Sequence, residues 1–372
     1  MPDKTILTTK QLGRATLARQ LLLEREQISA VEATKRLCGL QAQEPKPPYI
    51  GLWTRLAGFT EAALQQALQD RSIVRATMMR GTLHLATAAD YAAFRAPLQP
   101  VLTRGMRGAL RERADGLEPD AVLPAARTLL AERPRTFDEL RTLLQEEFPH
   151  VDHRALGFAV RMLLPLVMVP TDDRWGFPRV ADFTLAEAWL GHELGTGEAP
   201  EELVLRYLAA FGPAAVADVQ AWSGLQGIKA VLEGLRPRLE CFTDERRREL
   251  FDLPDAPRPD EATVAPPRFL PEFDSLLLAH ADRTRVISDE HRPEVITKNL
   301  RVRATFLING LVCGTWEIKR SRRAVTLSVR PFRPLSRSDV IGLEAEAESL
   351  MGFTDGDATA REVTIAEPIG GA

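Results

Sequence analysis

The sequence predicts an α+β protein with three tandem winged-helix units, each a helix-turn-helix followed by a β-hairpin, and an antiparallel β domain at the C-terminus. Short helices with apolar residues at helical spacing precede a pair of strand-like segments, and this order occurs three times. A proline-rich stretch, 254–267, then leads into strand-like segments joined by tight turns. The expected domains are residues 1–100, 101–195, 196–255 and 256–372.

The first unit is expected to begin with a helix over residues 8–26. A second helix follows Ser29, an N-cap with which Glu32 completes a capping box. Pro45 disfavours helical geometry at the residue before it, so this helix should end near Gln41. The other elements expected here are helices over 48–56 and 60–68 and two strands within 72–87 that turn at Arg80-Gly81.

The same order of elements is expected twice more, in units about 75 residues apart. The second unit should contain a helix from Ala125, a helix capped by Thr136 with Glu139, a helix over 152–163, and strands over 166–169 and 175–177 that turn at Asp172-Asp173. The third should contain helices over 203–211, 215–223 and 226–235 and strands over 239–242 and 249–253.

The C-terminal part of the chain is expected to form a small antiparallel sheet or barrel. Asn309-Gly310 lies between two strand-like runs and is a strong signal for a tight hairpin. The strands expected are 274–279, 302–308, 311–319 and 324–329, and a helix over 338–351 should close the sheet.

Composition is that of an ordinary globular protein, since 45% of the residues are hydrophobic and 27% are charged. Cys38, Cys241 and Cys313 are far apart without metal-ligand spacing, so we expect reduced thiols, no metal and no cofactor. No charged and apolar leader opens the chain, and no apolar run approaches the ~20 residues that cross a bilayer. A cytoplasmic protein is therefore expected.

The charge is distributed unevenly near the C-terminus. Residues 298–337 contain ten Lys or Arg and one acid, Glu317, whereas residues 339–372 contain eight acids and one base. The basic residues concentrate at the turn formed by Lys319, Arg320, Arg322 and Arg323. This turn could contact the phosphate backbone of a nucleic acid or could be a solvated face, and the scarcity of acids nearby in sequence favours phosphate.

Two glutamines, Gln41 and Gln43, follow the second predicted helix. In extended chain they point to the same side, so their amides offer two acceptor oxygens and four donor hydrogens without net charge. Such a pair suits holding a water molecule or a base edge, although two solvated side chains at a frayed helix end are the alternative. The adjacent Glu44 could accept a proton, or could be a solvated residue that points away from the glutamines.

His84 is the only histidine in the first predicted wing. Arg80 and His84 lie on the hairpin nearest in sequence to the glutamines, and wings commonly touch phosphate or the minor groove. A packed or capped histidine in a strand is the alternative.

Five motifs resemble those of the AlkZ- and YcaQ-type winged-helix DNA glycosylases. They are Gly39-Leu-Gln-Ala-Gln with Pro47-Pro-Tyr, Met79-Arg-Gly-Thr-Leu-His, Phe269-Leu-Pro-Glu-Phe-Asp, His280-Ala-Asp-Arg and Gly314-Thr-Trp. The catalytic Gln-x-Gln of the AlkZ branch falls on Gln41 and Gln43, and the Gln-x-Asp of the YcaQ branch is absent. His280, Asp282 and Arg283 match a family motif, and could serve the reaction and DNA binding or form a salt-bridged structural corner.

The resemblance implies a monomeric, metal-independent DNA glycosylase that acts on duplex DNA carrying bulky N7- or N3-alkylated purines, including crosslinks. Lys46 is the only lysine near the glutamines, so no lyase step is expected. The alternatives are a non-catalytic DNA-binding protein, such as a transcriptional regulator, and a scaffold. Three different wings without an evident dimerisation helix disfavour a regulator, because regulators usually pair two identical half-site readers.

Overall fold

The computed structural model describes residues 5–297, 299, 301–322 and 324–368 and has a mixed α+β fold. The first part of the chain forms β1 (Ile6–Leu7), α1 (Thr9–Arg19), α2 (Ala30–Arg36), β2 (Leu40–Gln41), α3 (Pro47–Trp53), α4 (Glu61–Gln69), β3 (Ile73–Thr77), β4 (Leu83–Thr87) and α5 (Ala88–Leu110). Next come α6 (Pro119–Glu132), α7 (Phe137–Glu147), α8 (His153–Leu163), β5 (Leu166–Met168), β6 (Phe183–Leu185) and α9 (Ala186–Leu190).

The rest of the chain contains a third group of helices and the C-terminal sheet. The third group is α10 (Glu201–Phe211), α11 (Val216–Ser223), α12 (Ile228–Leu235), β7 (Glu240–Asp244) and β8 (Glu249–Asp252). The C-terminal elements are β9 (Arg268–Leu270), α13 (Arg292–Val295), β10 (Thr305–Ile308), β11 (Leu311–Ser321), β12 (Ala324–Pro331), α14 (Arg337–Thr354) and β13 (Ala360–Ile365).

The predicted N-caps Ser29 and Thr136 are confirmed, but the helix expected from Ala125 begins at Pro119 and two predicted helix ends are wrong. Ser29 and Thr136 accept hydrogen bonds from the backbone of Glu32 and Glu139, as N-caps do. The first helix ends at Arg19, and α2 ends at Arg36 instead of near Gln41. It ends early because residues 38 and 39 have φ of 54° and 89°, which turns the chain out of the helix.

The hairpins of the first two predicted units join into one five-stranded sheet, in the order β2-β4-β3-β5-β6. Arg75 and Ala76 of β3 pair with Met168 and Val167 of β5. The predicted partner strand 175–177 is wrong, because β5 pairs with β6 instead. Helix α5, which the sequence analysis left unassigned, also runs across the predicted boundary between residues 100 and 101.

This sheet is covered on both faces. Leu40, Leu85 and Met168 pack on one side with the helices of the first two groups. Ala76 and Val167, which alternate with them, pack on the other side with α5 and the third group of helices. The side chains of Gln41 and His84 belong to this second face by the alternation of the strands.

The third hairpin, β7 and β8, forms as predicted, and β1 adds to it as a parallel strand. In the C-terminal sheet, ordered β13-β12-β11-β10-β9, the Asn309-Gly310 turn is confirmed with φ of 48° and 80°. The sheet is not purely antiparallel, because β13 runs parallel to β12, while α14 packs on it as the closing helix.

The strand predicted over 274–279 is wrong. Asp274 caps a single 3₁₀ turn over Ser275–Leu277, and its carboxylate receives two hydrogen bonds of 2.9 Å from Arg55. This buried ion pair fixes the segment to α3 instead of to the sheet. The strand that enters the sheet is β9, which belongs to the Phe269-Leu-Pro-Glu-Phe-Asp motif.

Two further findings concern the thiols and the helices. Cys38 and Cys313 are buried and Cys241 is half-buried, and all three are free thiols. Within the described residues, every helix is too short or too polar to cross a membrane.

Candidate active site

Gln41 lies on β2, the edge strand of the five-stranded sheet, directly opposite His84 of β4. Gln41 is therefore extended, as the proline downstream led us to expect. Its side chain is 8% exposed, and its Oε1 accepts a hydrogen bond of 2.9 Å from Nη2 of Arg80. The interpretation of Gln41 as a solvated residue at a frayed helix end is wrong.

Arg80 occupies the turn between β3 and β4 with φ of 56°, next to Gly81 with φ of 72°. Its guanidinium also donates to the carbonyl of Trp222 at the end of α11, and so joins the first hairpin to the third helical group. Burial, together with the positive charge of Arg283, lowers the pKa of Arg80 to about 10. Arg80 still carries its charge at neutral pH, and this charge polarises the Gln41 amide.

Gln43 is exposed, and its Oε1 accepts a hydrogen bond of 3.2 Å from the backbone N–H of Leu83. The N–H of Ala42 donates to the Leu83 carbonyl at 2.7 Å, so the strand pairing continues up to this point. Gln41 thus contacts Arg80 in the turn before β4, and Gln43 contacts Leu83 at the start of β4. One amide is buried against a cation and the other is open to solvent.

Arg75 of β3 holds the backbone of the glutamine stretch and was missed by sequence reasoning. Its Nε donates to the carbonyl of Ala42 at 2.9 Å, and its Nη2 donates to the carbonyl of Gln43 at 3.0 Å. The guanidinium stacks on Phe177 with 4.9 Å to the ring centre, and burial lowers the pKa of Arg75 to about 10. An arginine inside an apolar strand was the only sequence signal for this role.

His84 is buried, and its Nδ1 lies 3.0 Å from the carbonyl of Thr82. Burial, with the charge of Arg80 as a second cause, lowers the pKa of His84 to about 3. The ring is therefore neutral, with the Nδ1 proton donated to Thr82. This is the packed histidine that the sequence analysis gave as the alternative, and it forms the wall beneath Gln41.

Glu44 is exposed, and it has no hydrogen bond or ion pair with another described residue. Its charge acts on Arg75, whose pKa it raises against the effect of burial. Glu44 is thus near Arg75, which binds the carbonyls of residues 42 and 43, and outside the buried environment of Gln41.

Two residues of the His280-Ala-Asp-Arg motif, His280 and Asp282, form a structural corner. His280 is fully buried among aromatic rings with Nε2 3.0 Å from the Phe211 carbonyl, and burial lowers its pKa to about 3. Asp282 binds Thr284 and forms ion pairs with Arg246 and Arg248. These partners favour the structural corner that the sequence analysis gave as the alternative, and a part for His280 or Asp282 in the reaction stays a prediction.

Arg283 differs from the rest of this motif because it reaches the neighbourhood of Arg80, as the effect of its charge on the pKa of Arg80 indicates. Burial, and then the charge of Arg292, lowers the pKa of Arg283 itself. In the part of the chain that the structure describes, neither Arg80 nor Arg283 forms an ion pair with a carboxylate. An anion placed between them would relieve their mutual repulsion.

The basic turn between β11 and β12 is exposed, but acids reach it from distant parts of the chain. Lys319 pairs with Glu317 at 2.6 Å, and Arg320 pairs with Asp355 and Asp357. The expectation that acids are missing nearby is therefore wrong, because the end of α14 folds back onto the turn. Arg322 is exposed with no ion pair to the other described residues, and Arg323 lies outside them.

A small cavity adjoins the glutamine stretch. Gly39, Gln41 and Pro48 line it on one side, and residues 271–275 cover it on the other. Among the described residues, no group of three or more His, Cys, Asp or Glu side chains is placed to hold a metal ion. The polar side chains near Gln41 include the guanidinium of Arg80, which binds its amide, and Gln20, Arg55, Glu272 and Asp274 on the cavity.

The fold of the chain is that of a solved DNA glycosylase. The structure of Streptomyces sahachiroi DNA glycosylase AlkZ matches with a TM-score of 0.80 and 21% sequence identity, over 97% of this chain and 100% of that one. A curated relative, the interstrand DNA cross-link repair glycosylase of Streptomyces sahachiroi, is 27% identical over 91% of this chain and 94% of its own length.

The family model described as DNA glycosylase AlkZ-like matches residues 34–353. The chain belongs to the AlkZ-like DNA glycosylase family. It is therefore a DNA glycosylase, and the alternative of a regulator without chemistry is not favoured. The matched range includes the glutamine stretch, the first hairpin and the basic turn.

Proposed function

We propose that this protein is a monofunctional glycosylase that hydrolyses the N-glycosidic bond of N7- or N3-alkylated purines in duplex DNA, with Gln41 and Gln43 positioning the water. One observation carries the proposal: Arg80 and the Leu83 N–H hold the two amide oxygens in place at one end of β4. Preorganised polar groups of this kind position a reactant without reorganising during the reaction.

Neutral amides suit this reaction because alkylation at N7 or N3 already places a positive charge on the purine. The leaving base needs no proton, so a general acid is unnecessary. The remaining tasks are to orient water and to stabilise the oxocarbenium-like sugar. Each amide oxygen still has one lone pair free for a water molecule or for the cationic centre.

DNA binding is proposed to use the three helix-and-hairpin groups as winged helices. Arg80 and Arg283, with two positive charges near each other and no acid partner among the described residues, would hold a backbone phosphate beside the flipped or exposed nucleotide. The exposed turn with Lys319, Arg320 and Arg322 would contact phosphates farther along the duplex, with the undescribed Arg323 as its neighbour. These contacts carry affinity without reading sequence.

The substrates are proposed to include bulky adducts and crosslinks, as the name of the Streptomyces sahachiroi relative indicates for that protein. The exposed Gln43 supports an open cleft, in which a large adduct need not enter a closed pocket. We propose that the protein acts as a monomer in the bacterial cytoplasm. Three different helix-and-hairpin groups without an evident dimerisation helix support a single acting chain.

A lyase step is not part of the proposal. The Lys46 ammonium lies 5.5 Å from the ring centre of Trp175, and Lys46 does not line the cavity next to Gln41. Incubation with substrate DNA and borohydride should therefore trap no covalent adduct. A trapped adduct that disappears in Lys46→Arg would overturn the monofunctional assignment.

The experiment that tests the proposal measures release of free base from duplex oligonucleotides with a single N7-alkylguanine, in methyl and in bulky forms. The wild type should release both bases, and activity on the bulky form would place large adducts among its substrates. Salt-sensitive DNA binding without release of either base would contradict the proposed substrates.

A further inference from the structure

Glu272 lies between two cavities that the glutamine stretch and the C-terminal sheet form. It lines the small cavity that contains Gln41. It also lines a groove of about 610 Å³ over the C-terminal sheet, together with Arg303, Thr315 and Arg330. Glu272 is therefore the residue at which an open, partly basic groove meets the small cavity beside Gln41.

Of the two carboxylates that line the small cavity, Glu272 accepts fewer hydrogen bonds from the described residues and is the more exposed. Asp274 is buried and receives two hydrogen bonds from Arg55 and one from the Leu276 N–H. Glu272 has a 30% exposed side chain and, among the described residues, pairs with Arg301 alone, at 2.9 and 3.2 Å. Since a carboxylate offers about four acceptor positions, Glu272 can accept from a substrate or a water molecule without losing this ion pair.

The backbone around Glu272 is held in an unusual conformation. Phe273 has φ of 60°, a left-handed value that is an outlier for a bulky side chain. The Asp274–Arg55 pair on one side and the hydrogen bond from Phe273 N–H to the Val302 carbonyl, 3.3 Å, fix this turn. Such strain persists where the surrounding structure imposes it, and it is concentrated at functional sites.

The proposed reaction lacks a group that can accept a proton, because the glutamine amides cannot do so at neutral pH. Glu44 is the other carboxylate close in sequence, but it is not among the residues that line the cavity of Gln41. Glu272 does line that cavity, on the segment 271–275 that covers it from the side opposite Gln41. Its position on the cavity therefore distinguishes it from Glu44.

We propose that Glu272 is the catalytic carboxylate of this site and accepts the proton of the water that the glutamines position. The inference rests on the function proposed above. The water oxygen bonds to C1′ of the deoxyribose, and the C1′–N bond breaks with its electron pair moving to the cationic purine, which leaves neutral. One water proton passes to Glu272 and then to solvent. Before this step the carboxylate stabilises the positive charge that develops on the sugar.

The test compares Glu272→Gln with wild type in single-turnover release of N7-methylguanine at saturating duplex DNA. The expected loss is on the order of 10²- to 10⁴-fold in rate, with DNA affinity within about two-fold of wild type, because the phosphate contacts remain. Added formate should restore part of the activity of Glu272→Ala, since a small carboxylate can enter the space that the shortened side chain leaves. Thermal unfolding of both variants verifies that they are folded.

Three controls separate this role from others. Glu317→Gln changes another carboxylate that lines the same groove, and Glu44→Gln changes the one adjacent to the glutamines; both should release base at nearly the wild-type rate. Arg301→Gln breaks the ion pair from its other side and should leave the single-turnover rate within a few-fold of wild type.

Each outcome has one meaning. A wild-type rate in Glu272→Gln, or an equal loss in Arg301→Gln, would overturn the base role while leaving the proposed function standing. No release by the wild type would overturn the proposed function and the base role with it. A slowed Glu272→Gln with unchanged DNA binding and with formate rescue of Glu272→Ala supports the inference.

Discussion

The glutamine stretch and the basic turn between β11 and β12 are both proposed to act on DNA, but they are held in opposite ways. Hydrogen-bonded partners fix the first: Arg80 binds the Gln41 amide, and Arg75 binds the carbonyls of the next two residues, 42 and 43. The second is exposed, and its Lys319 and Arg320 pair with acids of the same chain.

The difference agrees with the roles proposed for the two regions. A group that orients a reacting water must stay within a fraction of an ångström, which requires partners that cannot be exchanged for solvent. A surface that follows the DNA backbone needs only charge, and exposed ion pairs cost little to exchange for phosphates, because solvent screens them. The fixed contacts are therefore at the first hairpin, and the contacts that can be exchanged are at the basic turn.

The largest effect is expected from Gln41→Ala combined with Gln43→Ala. Release of N7-alkylguanine should slow by at least about 10²- to 10³-fold, as when a preorganised polar group is removed from an active site. Single-turnover kinetics at saturating DNA measure this directly. Gln66→Ala, which removes an exposed glutamine bonded only to Asp70, is the matched control. If the double variant keeps the wild-type rate, the glutamines do not position the reacting water, and their fixed contacts have no catalytic role.

Arg75→Lys should have the next largest effect. Lysine keeps the charge but loses the planar fork that reaches two carbonyls, so at least one carbonyl of residues 42 and 43 loses its partner. We expect a free energy of unfolding lower by about 1–3 kcal/mol and a release rate lower by up to about 100-fold. Chemical denaturation and single-turnover kinetics measure the two effects.

The control is Arg71→Lys, because Arg71 also stacks on an aromatic ring, Trp189, and donates to a carbonyl, but lies apart from the glutamines. Equal loss of activity in Arg71→Lys and Arg75→Lys would show that the clamp on the glutamine backbone has no special role.

Lowering the pH should reduce the free energy of unfolding, because two buried histidines are neutral in the folded protein. Both His84 and His280 have a pKa near 3 in the folded protein, below the value of about 6.5 in the unfolded chain. The unfolded state therefore binds more protons between these values. The stabilising contribution of each histidine is complete above pH 6.5 and is lost as the pH falls toward 3. Between pH 7 and 5 the expected loss is about 1–2 kcal/mol for each histidine.

Urea unfolding at several pH values measures this dependence. His280→Gln should flatten it, because glutamine can donate to the Phe211 carbonyl without titrating, whereas the exposed His192→Gln should leave it unchanged. An unaltered slope in both His84→Gln and His280→Gln would contradict the interpretation of neutral, packed histidines.

The smallest effect is expected at the basic turn. Arg322→Gln removes an exposed charge with no acid partner among the described residues, and should weaken DNA binding about two- to five-fold while reducing the salt slope by about 1. Arg320→Gln should change affinity less, because Arg320 must first leave Asp355 and Asp357. Binding to undamaged duplex over a range of salt tests both. A larger loss for Arg320 would show that its acids orient it toward DNA.

Much of the local structure was predictable, because its causes lie within a few residues of one another. The N-caps at Ser29 and Thr136, the tight turn at Asn309-Gly310 and the extended conformation at Gln41 each follow from neighbouring sterics and hydrogen bonds. The pairing of β5 with β6 was not predictable in the same way, since a strand can form a hairpin with any apolar run nearby.

For the site, sequence alone identified the glutamines and Arg80, but not the groups that hold them. Arg75 and the partners of Arg80 depend on contacts across β3, β4 and α11. The same limit explains why His280 was expected near the chemistry: its motif predicts a charged corner, but not which core surrounds it.

By itself, the sequence determined the family motifs, the α+β class, the succession of helices and hairpins, and the extended pair of amides, because periodicity, capping and proline geometry act over short distances. Only the tertiary structure decided that two hairpins merge into one sheet, that Arg75 clamps the glutamines, and that the acids near α14 reach the basic turn. Those outcomes depend on contacts between segments that are far apart in the sequence. A pattern within a few neighbouring residues therefore cannot predict them.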